Sequence, residues 1–204
     1  MGAMRTLVRA AFFLMLFGLL FSAQSLWAGE PMEEIKKTTG RILGILGDPA
    51  LRGEENEVER RRRVREAVDE RFDWEDISRR SLTTQWHELS GDQQTEFTRL
   101  FGILLERTYM NRLENYTGEE VRYLGEEQEG SRAKVRVSIV TKKNQDIPVE
   151  YRLKQKGGTW LVNDILIEGV SMVRNYRNQF SDILMKSSYE DLLERLKAKV
   201  EEGS

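Results

Sequence analysis

The sequence predicts an α+β fold, with N- and C-terminal helices packed on a curved four-stranded antiparallel sheet. Three observations support this prediction. Apolar residues recur at helical spacing between about residues 31 and 113. Over residues 119–167 they alternate with polar residues, the period of strands that have one covered face. Helical spacing returns after Gly169. An order of helices, strands and helices is typical of a domain with helices on one face of a sheet.

The beginning of the chain predicts export. Arg5 and Arg9 precede an unbroken apolar run over residues 10–21, and small and polar residues follow. This pattern is typical of a secretory signal peptide, and the run is shorter than the roughly 20 residues that cross a bilayer. The alternative is a buried N-terminal helix. We therefore divide the chain into a signal peptide, residues 1–28, and a single domain, residues 29–204.

The first part of the exported domain predicts two amphipathic helices. Pro31 suits a first helical turn, and apolar residues then recur up to a stop at Gly47. A second helix is predicted over residues 54–72, and it contains four consecutive arginines at 60–63. Acidic residues four positions away favour ion pairs on a solvated helix face, with contact to an anionic surface as the alternative. The expected pairs are Glu59–Arg63, Arg62–Glu66 and Arg65–Asp69.

Two further helices are predicted before the strands. Asp73 is placed to cap a short helix, with Asp76 three positions later. Ser90 and Gln93 form a capping-box pattern, in which each side chain bonds the backbone N–H of the other residue. The apolar stripe that follows has the spacing i, i+3, i+4, i+7, i+8 and predicts the strongest helix of the chain. It consists of Phe97, Leu100, Phe101, Leu104 and Leu105, extended by Tyr109 and Leu113.

Four strands are predicted within residues 119–167. Gly157-Gly158 is a two-residue hairpin turn between the third and fourth strands. The apolar phase of the fourth strand slips near Asn163-Asp164, which predicts a bulge or a strand covered on both faces there. A last amphipathic helix begins near Ser188. The apolar positions of the first three strands are Val121 and Tyr123, then Val135, Val137 and Ile139, then Ile147, Val149, Tyr151 and Leu153.

Few residues of this chain suit catalysis or metal binding. There is no Cys and a single His, His87, so no pair of these residues can form a nucleophile or a zinc site. The net charge of −2 gives no electrostatic case for a nucleic-acid partner. We predict no catalytic residues, no metal and no cofactor. Asp164 and Glu168, the acids within the apolar strand, leave open an enzyme acting on a small apolar substrate; the alternative is that both bond backbone or cap a helix.

Two segments carry a family resemblance. The residues from Trp160 to Phe180 read W-L-V-N-D-I-L-I-E-G-V-S-M-V-R-N-Y-R-N-Q-F, and residues 72–80 read F-D-W-E-D-I-S-R-R. Both resemble the MlaC-type proteins, also called toluene-tolerance or ABC-transporter auxiliary substrate-binding proteins. The resemblance implies a cone similar to the nuclear transport factor 2-like fold. It also implies a soluble periplasmic phospholipid carrier that is not an enzyme and uses no metal or nucleotide.

The same resemblance implies partners and a physiological role. Proteins of this type pass phospholipid between an outer-membrane lipoprotein–porin complex and an inner-membrane ABC transporter that bears an MCE-domain protein. Such transport maintains the lipid asymmetry of the outer membrane. A cavity-free adaptor that binds only other envelope proteins is the remaining alternative, together with the enzyme described above.

A carrier must keep acyl chains dry, since each buried methylene contributes about 0.8 kcal/mol. The apolar strand faces and the Phe97 stripe converge on one side of the predicted sheet, and their periodicity fits a filled core as well as a lipid cavity. The family fold combined with inward-facing positions predicts that lipid tails contact Trp74, Ile77, Leu82, Phe97, Phe101, Leu104, Leu105, Val137, Ile139, Val149, Tyr151, Ile165, Ile167, Val170 and Val173.

Overall fold

A computed structural model describes residues 31–114 and 119–201. The predicted signal peptide, residues 1–28, lies outside the described residues. The four helices before the sheet are α1 (Pro31–Gly47), α2 (Glu57–Asp69), α3 (Trp74–Leu82) and α4 (Gly91–Glu114), and short 3₁₀ turns lie at Pro49–Leu51, Glu54–Asn56 and Thr83–Glu88.

An antiparallel sheet and two helices follow. The strands are β1 (Glu120–Glu129), β2 (Arg132–Val140), β3 (Asp146–Lys156), β4 (Thr159–Ile167) and β5 (Val170–Ser171), and the final helices are α5 (Met172–Leu184) and α6 (Tyr189–Glu201). Each strand pairs with the next one in the chain, so the sheet order is β1-β2-β3-β4-β5. The predicted α+β class is confirmed. None of the helices in the described part of the chain has the length and apolar character needed to cross a bilayer.

The sheet has five strands, so the prediction of four strands was wrong. Glu168 and Gly169 have φ values of 51° and 80° and form a tight turn that folds β5 back onto β4. The hydroxyl of Ser171 then accepts a hydrogen bond from the Arg174 amide at 3.0 Å and caps α5. The sequence did not indicate β5, because the apolar residues Val170 and Val173 are three positions apart and this spacing predicts a helix that begins directly after Gly169.

Of the two alternatives predicted near Asn163-Asp164, a bulge is present in β4. Arg152 pairs with Asp164 whereas Leu153 pairs with Val162, so Asn163 is one extra residue in β4. The bulge changes which face the strand positions occupy. Val162 before it and Ile165 after it differ in parity, yet both lie on the face shared by Leu153 and Tyr151. The apolar positions on both sides of the bulge therefore face the same way.

The predicted turn and helix caps are also confirmed. Gly157 and Gly158 have φ values of 58° and 83° at the β3–β4 turn. The Asp73 carboxylate accepts from the Asp76 amide at 3.1 Å and caps α3. At the start of α4, the Ser90 amide donates to Gln93 Oε1 at 2.9 Å, and the Gln93 amide donates to Ser90 Oγ at 3.3 Å.

The arginine run of α2 forms the expected ion pairs along the helix surface. Arg63 Nε lies 2.7 Å from Glu59 Oε1, and Arg62 contacts both Glu59 and Glu66. Hydrogen bonds from Arg62 and Arg63 lower the pKa of Glu59 to about 2. The local pairing predicted for these arginines is confirmed, including the contact of Arg65 Nε with Asp69 Oδ2 at 3.3 Å.

Apolar side chains form two separate clusters. The helix core joins α3, α4, α5 and α6 around Phe97, Phe101 and Phe180, whose rings pack at centroid separations of 5.2–5.6 Å. The sheet core contains Val135, Trp160 and other strand residues, with Ile35 of α1 against them. Because the two clusters are separate, the space between the sheet and the helices is not filled by one continuous core.

Candidate functional site

A cavity of about 420 Å³ lies between the sheet and the helices. Its volume falls within the range of roughly 300–1,000 Å³ that is usual for ligand pockets. The walls come from α1, α2, α4, the segment between α2 and α3, and the first residues of α3 and α5. The remaining wall comes from β2, β3 and β4. The apolar lining residues are Ile35, Ile42, Val64, Val68, Phe72, Trp74, Leu105, Tyr109, Met110, Ile139, Ile147, Val149, Tyr151, Ile165, Ile167 and Met172.

The sheet side of the cavity is built from three cross-strand pairs. In each pair the two residues stand directly opposite each other in the register, and both line the cavity. Opposite residues on one face of an antiparallel sheet have adjacent side chains. The three pairs therefore form a continuous apolar floor. They are Ile139 with Ile147, Val149 with Ile167, and Tyr151 with Ile165.

Tyr151 is the one floor residue with a polar group. Burial raises its pKa to about 12, and Tyr123 adds a smaller effect in the same direction. The phenol is therefore neutral at physiological pH. A neutral aromatic side chain leaves the floor uncharged, which suits an apolar ligand.

The cavity face of α4 is a second stripe on that helix. Gly102, Leu105, Glu106, Tyr109 and Met110 line the cavity at the spacing i, i+3, i+4, i+7, i+8. The neighbouring stripe on α4, which contains the larger apolar residues, belongs to the helix core. At Gly102 an added Cβ would lie 3.8 Å from Arg65 Nη2 and 3.9 Å from Trp74 Cδ2, which is ordinary contact distance.

Seven of the fifteen residues predicted to contact lipid line this cavity: Trp74, Leu105, Ile139, Val149, Tyr151, Ile165 and Ile167. The structure places the other eight elsewhere. Five are buried within the helix core, namely Ile77, Leu82, Phe97, Phe101 and Val173. Leu104 packs against that core, Val137 is buried in the sheet core, and Val170 is 63 % exposed near the β4–β5 turn.

Sequence reasoning missed the contribution of α1 and α2. Ile35, Thr38 and Ile42 of α1 line the cavity, as do Val64 and Val68 of α2. Their helical spacing was visible in the sequence, because Ile35 and Ile42 are seven residues apart and Val64 and Val68 are four apart. What the sequence lacked was any indication that these faces meet the sheet across an open space.

Charged side chains at the cavity wall are paired with one another. Arg65 of α2 contacts Glu106 of α4, and its Nε lies 3.3 Å from Asp69 Oδ2. The indole Nε1 of Trp74 donates to the other oxygen of Asp69 at 2.7 Å, and the Trp74 ring stacks on Phe72 with 5.1 Å between centroids. These contacts hold Trp74 and Arg65 in place at the wall and satisfy the charge of Arg65.

A second charged residue, Arg71, is 7 % exposed and joins α1 to β4. Its Nη1 donates to the backbone oxygen of Trp160 at 2.6 Å, and its Nε donates to Thr38 Oγ1 at 3.1 Å. Its Nη2 contacts the carboxylate of Glu34. Buried guanidinium groups need this number of partners, because an unpaired buried charge is strongly destabilising.

Neither acid of the apolar strand lines the cavity. Asp164 is 1 % exposed and accepts hydrogen bonds from the Ser171 hydroxyl at 2.7 Å and the Val173 amide at 3.1 Å. It therefore supports the beginning of α5. Glu168 is exposed in the β4–β5 turn. The hypothesis of an enzyme required one of these carboxylates to face a closed pocket, and the geometry does not meet that requirement. Within residues 31–114 and 119–201, no cluster of acidic and His side chains is arranged to hold a metal ion.

A family model described as MlaC protein matches residues 36–198. This chain belongs to the MlaC protein family. The assignment made from the Trp160–Phe180 and 72–80 segments is confirmed.

Two curated relatives agree with the family. The chain is 23 % identical to toluene tolerance protein ttg2D of Pseudomonas putida over 162 residues, which is 78 % of this chain and 75 % of that protein. It is 27 % identical to the intermembrane phospholipid transport system binding protein MlaC of Haemophilus influenzae over 121 residues, which is 56 % of each chain.

A solved structure has the same fold. The phospholipid-binding protein from Ralstonia solanacearum, determined in complex with a phospholipid, matches this MlaC-family chain with a TM-score of 0.78. The match covers 86 % of this chain and 99 % of that protein, at 23 % sequence identity. The arrangement of helices on an open antiparallel sheet is therefore shared between the two proteins.

Proposed function

We propose that this MlaC-family protein is a periplasmic phospholipid carrier that holds acyl chains in the cavity between the sheet and α1, α2 and α4. The observation that carries the proposal is the apolar floor made by the cross-strand pairs, which faces open space instead of the helix core. A filled interior would have left no place for a lipid tail.

The character of the lining supports a tail-binding role. Apolar side chains form most of the wall, and the arginines at the wall are already paired with acids of the protein. Burial of a methylene contributes about 0.8 kcal/mol, so an acyl chain gains free energy with each methylene that the cavity keeps dry. The head group then remains in water at the opening.

The relatives support the ligand and the pathway. One relative is named as the binding protein of an intermembrane phospholipid transport system, and the structural neighbour holds a phospholipid. By analogy, the carrier receives or delivers lipid at an outer-membrane lipoprotein–porin complex and at an inner-membrane ABC transporter with an MCE-domain protein, and so maintains outer-membrane lipid asymmetry. Export would depend on cleavage of the signal peptide, residues 1–28, which leaves residues 29–204 as one lipid-binding domain.

Contacts with the lipid tails are proposed for the seven predicted residues that line the cavity, joined by the lining residues of α1 and α2. The eight other predicted residues hold the helices and strands that surround the cavity, apart from the exposed Val170. The cavity-free adaptor is the less suitable alternative, because an open apolar interior has no use in a protein that binds only through its surface.

Mass spectrometry of bound lipid tests the proposal. The full-length sequence is expressed in a Gram-negative host, and the exported protein is purified without detergent and extracted with organic solvent. We expect phospholipid at a constant ratio to protein, whatever the purification buffer. Protein that contains no phospholipid, and that takes up none when incubated with phosphatidylethanolamine vesicles, would contradict the carrier function.

A further inference from the structure

Helix α1 has fewer apolar contacts with the rest of the protein than the other helix that forms a large part of the cavity wall, α4. Ile35 is the one buried α1 side chain that joins the sheet core among the described residues, while Met32 packs only at its edge. Thr38, Thr39 and Ile42 instead face the cavity. The helix core includes no residue of α1. Hydrophobic packing therefore fixes α1 less firmly than it fixes α4, whose aromatic stripe is part of that core.

Polar contacts hold α1 in place. Arg41 Nη1 lies 2.5 Å from Glu70 Oε2, and Glu34 contacts Arg71. At the N-terminal end of the helix, the Met32 amide donates to Glu126 Oε2 at 2.8 Å. Water can replace the partners of the exposed contacts at Glu70 and Glu126 at little cost in free energy. The contact of Glu34 with the buried Arg71 is the stronger one. Displacing α4 would instead expose the aromatic helix core.

Arg71 is fixed to the sheet independently of α1. The Val162 amide donates to the Arg71 carbonyl at 2.8 Å, and the Asp73 amide donates to the Val162 carbonyl at 2.9 Å. The Arg71 guanidinium also donates to the Trp160 carbonyl at 2.6 Å. Arg71 therefore stays with β4 when α1 moves, and only its contacts with Glu34 and Thr38 have to break.

The connection between α1 and α2 is compatible with such a movement. It consists of short 3₁₀ turns, and Gly53 between them has a φ of 91°. Hinges of protein lids are a few loop residues of this kind that absorb a change in backbone angles.

We propose that α1 is the movable wall of the cavity, and that Arg71 and Glu70 are positioning residues that hold it closed and so set the rate of lipid entry and exit. The inference rests on the proposed function. In the closed position α1 covers the acyl chains. When its contacts with Glu70 and Arg71 break, it exposes the cavity along its length. Ile35 then leaves the sheet core, while the helix core and the strand pairing stay intact.

A reversible cross-link tests this. The chain contains no Cys, so a short bifunctional thiosulfonate reagent reacts only at introduced thiols. Arg41→Cys with Glu70→Cys replaces two side chains that are in contact, and the reagent then ties α1 to the end of α2. The matched control is Glu127→Cys with Arg136→Cys, which replaces an exposed ion pair at 2.7 Å between β1 and β2.

The readout is transfer of pyrene-labelled phosphatidylethanolamine from the protein to vesicles of phosphatidylcholine. We expect the linked 41–70 protein to transfer lipid at least about tenfold more slowly than the same protein after reduction, a change well above that of an ordinary surface substitution. The linked control pair is expected to transfer at the unlinked rate. Equal rates for the linked and reduced 41–70 protein would overturn the movable wall and leave the carrier function standing. Failure of the unmodified protein to bind the labelled lipid would overturn both.

A charge substitution gives an independent result. Glu34→Ala removes a partner of Arg71 and is expected to speed lipid transfer by about tenfold, the size typical of a lost charge-assisted hydrogen bond. Glu33→Ala is the control, because Glu33 pairs with Lys36 within α1 at 2.7 Å and does not tie the helix to another element. Equal transfer rates for both variants would contradict the role of Arg71.

Discussion

Tyr151 of β3 and Ile165 of β4 stand directly opposite each other in the sheet, and both line the cavity. The pair lies on the same sheet face as Leu153 and Val162, which are buried in the sheet core. On this face of β3 and β4, the side chains at one end are therefore packed in the sheet core, and those at the other end border the open cavity. The bulge at Asn163 makes this possible, because it returns Ile165 to the face that the strand alternation would otherwise have given to Asp164.

Filling the cavity from α4 should remove lipid without unfolding the protein. Gly102→Leu extends a side chain from a cavity-lining position where a Cβ meets only ordinary contacts. Replacing a helical glycine also gains about 0.5–1 kcal/mol of helix propensity. We expect co-purified phospholipid to fall at least about tenfold, with no loss of thermal stability. Lipid is measured by mass spectrometry and stability by circular dichroism.

Gly40→Leu is the matched control, because Gly40 is an exposed glycine of α1 with open space around its Cβ position. This variant should keep its lipid. If Gly102→Leu retained as much phospholipid as Gly40→Leu, the cavity next to α4 would not be the tail site.

Truncation of a side chain should lower the free energy of unfolding less at the cavity than in the sheet core. Leu153 is 2 % exposed, and Leu153→Ala is expected to destabilise by about 2–5 kcal/mol. Ile165→Ala should cost about 1–2 kcal/mol in lipid-free protein, since part of that side chain already faces empty space. Urea unfolding of lipid-free and lipid-loaded protein measures both.

Lipid loading should increase the loss of unfolding free energy caused by Ile165→Ala. The loss caused by Leu153→Ala should stay unchanged, because only Ile165 borders the lipid tails. An equal loss for both variants in lipid-free protein would indicate that the cavity collapses when it is empty.

The floor of the cavity was largely predictable from the sequence. The family fold combined with the inward-facing positions of the alternating strands identified Ile139, Val149, Tyr151, Ile165 and Ile167. The phase slip at Asn163 was also visible as a change of parity. Its consequence, that the positions on both sides of the bulge share a face, follows only from the register with β3.

The α4 wall was less predictable because apolar spacing does not say which neighbour a helix face meets. The strong stripe through Phe97 and Phe101 joined the helix core, as large aromatic side chains fill an interior between helices. The adjoining stripe of α4, which includes Gly102 and Glu106, lines the cavity. Leu105 and Tyr109 of the predicted apolar stripe also line the cavity, whereas nothing in the spacing indicated Gly102 and Glu106.

The buried carboxylate of Asp164 should act in folding alone. Asp164→Asn replaces an acceptor of the Ser171 and Val173 hydrogen bonds with a donor group, and Arg80 and Arg152 each lie 3.9 Å from the same carboxylate. We expect a loss of about 2–4 kcal/mol in the free energy of unfolding. Glu168→Gln should change it by less than about 0.5 kcal/mol, because Glu168 is exposed.

Lipid content per folded molecule is the second readout for these variants. Both should bind lipid as the unmodified protein does, because neither carboxylate lines the cavity. Unchanged stability in Asp164→Asn would show that α5 does not depend on this cap.

Stability should fall in alkali partly through Tyr151. Burial raises its pKa to about 12 in the folded protein, whereas an unfolded tyrosine ionises near pH 10. The folded state therefore binds more protons in this window, and stability that is fully present below about pH 10 is lost as the pH rises towards 12. Tyr189, whose pKa is also raised to about 12 by burial, contributes in the same direction. Tyr151→Phe should make the stability loss between pH 10 and 12 shallower, as measured by urea unfolding at several pH values. The same slope in both proteins would mean that water reaches the phenol, and that the floor of the cavity is wet.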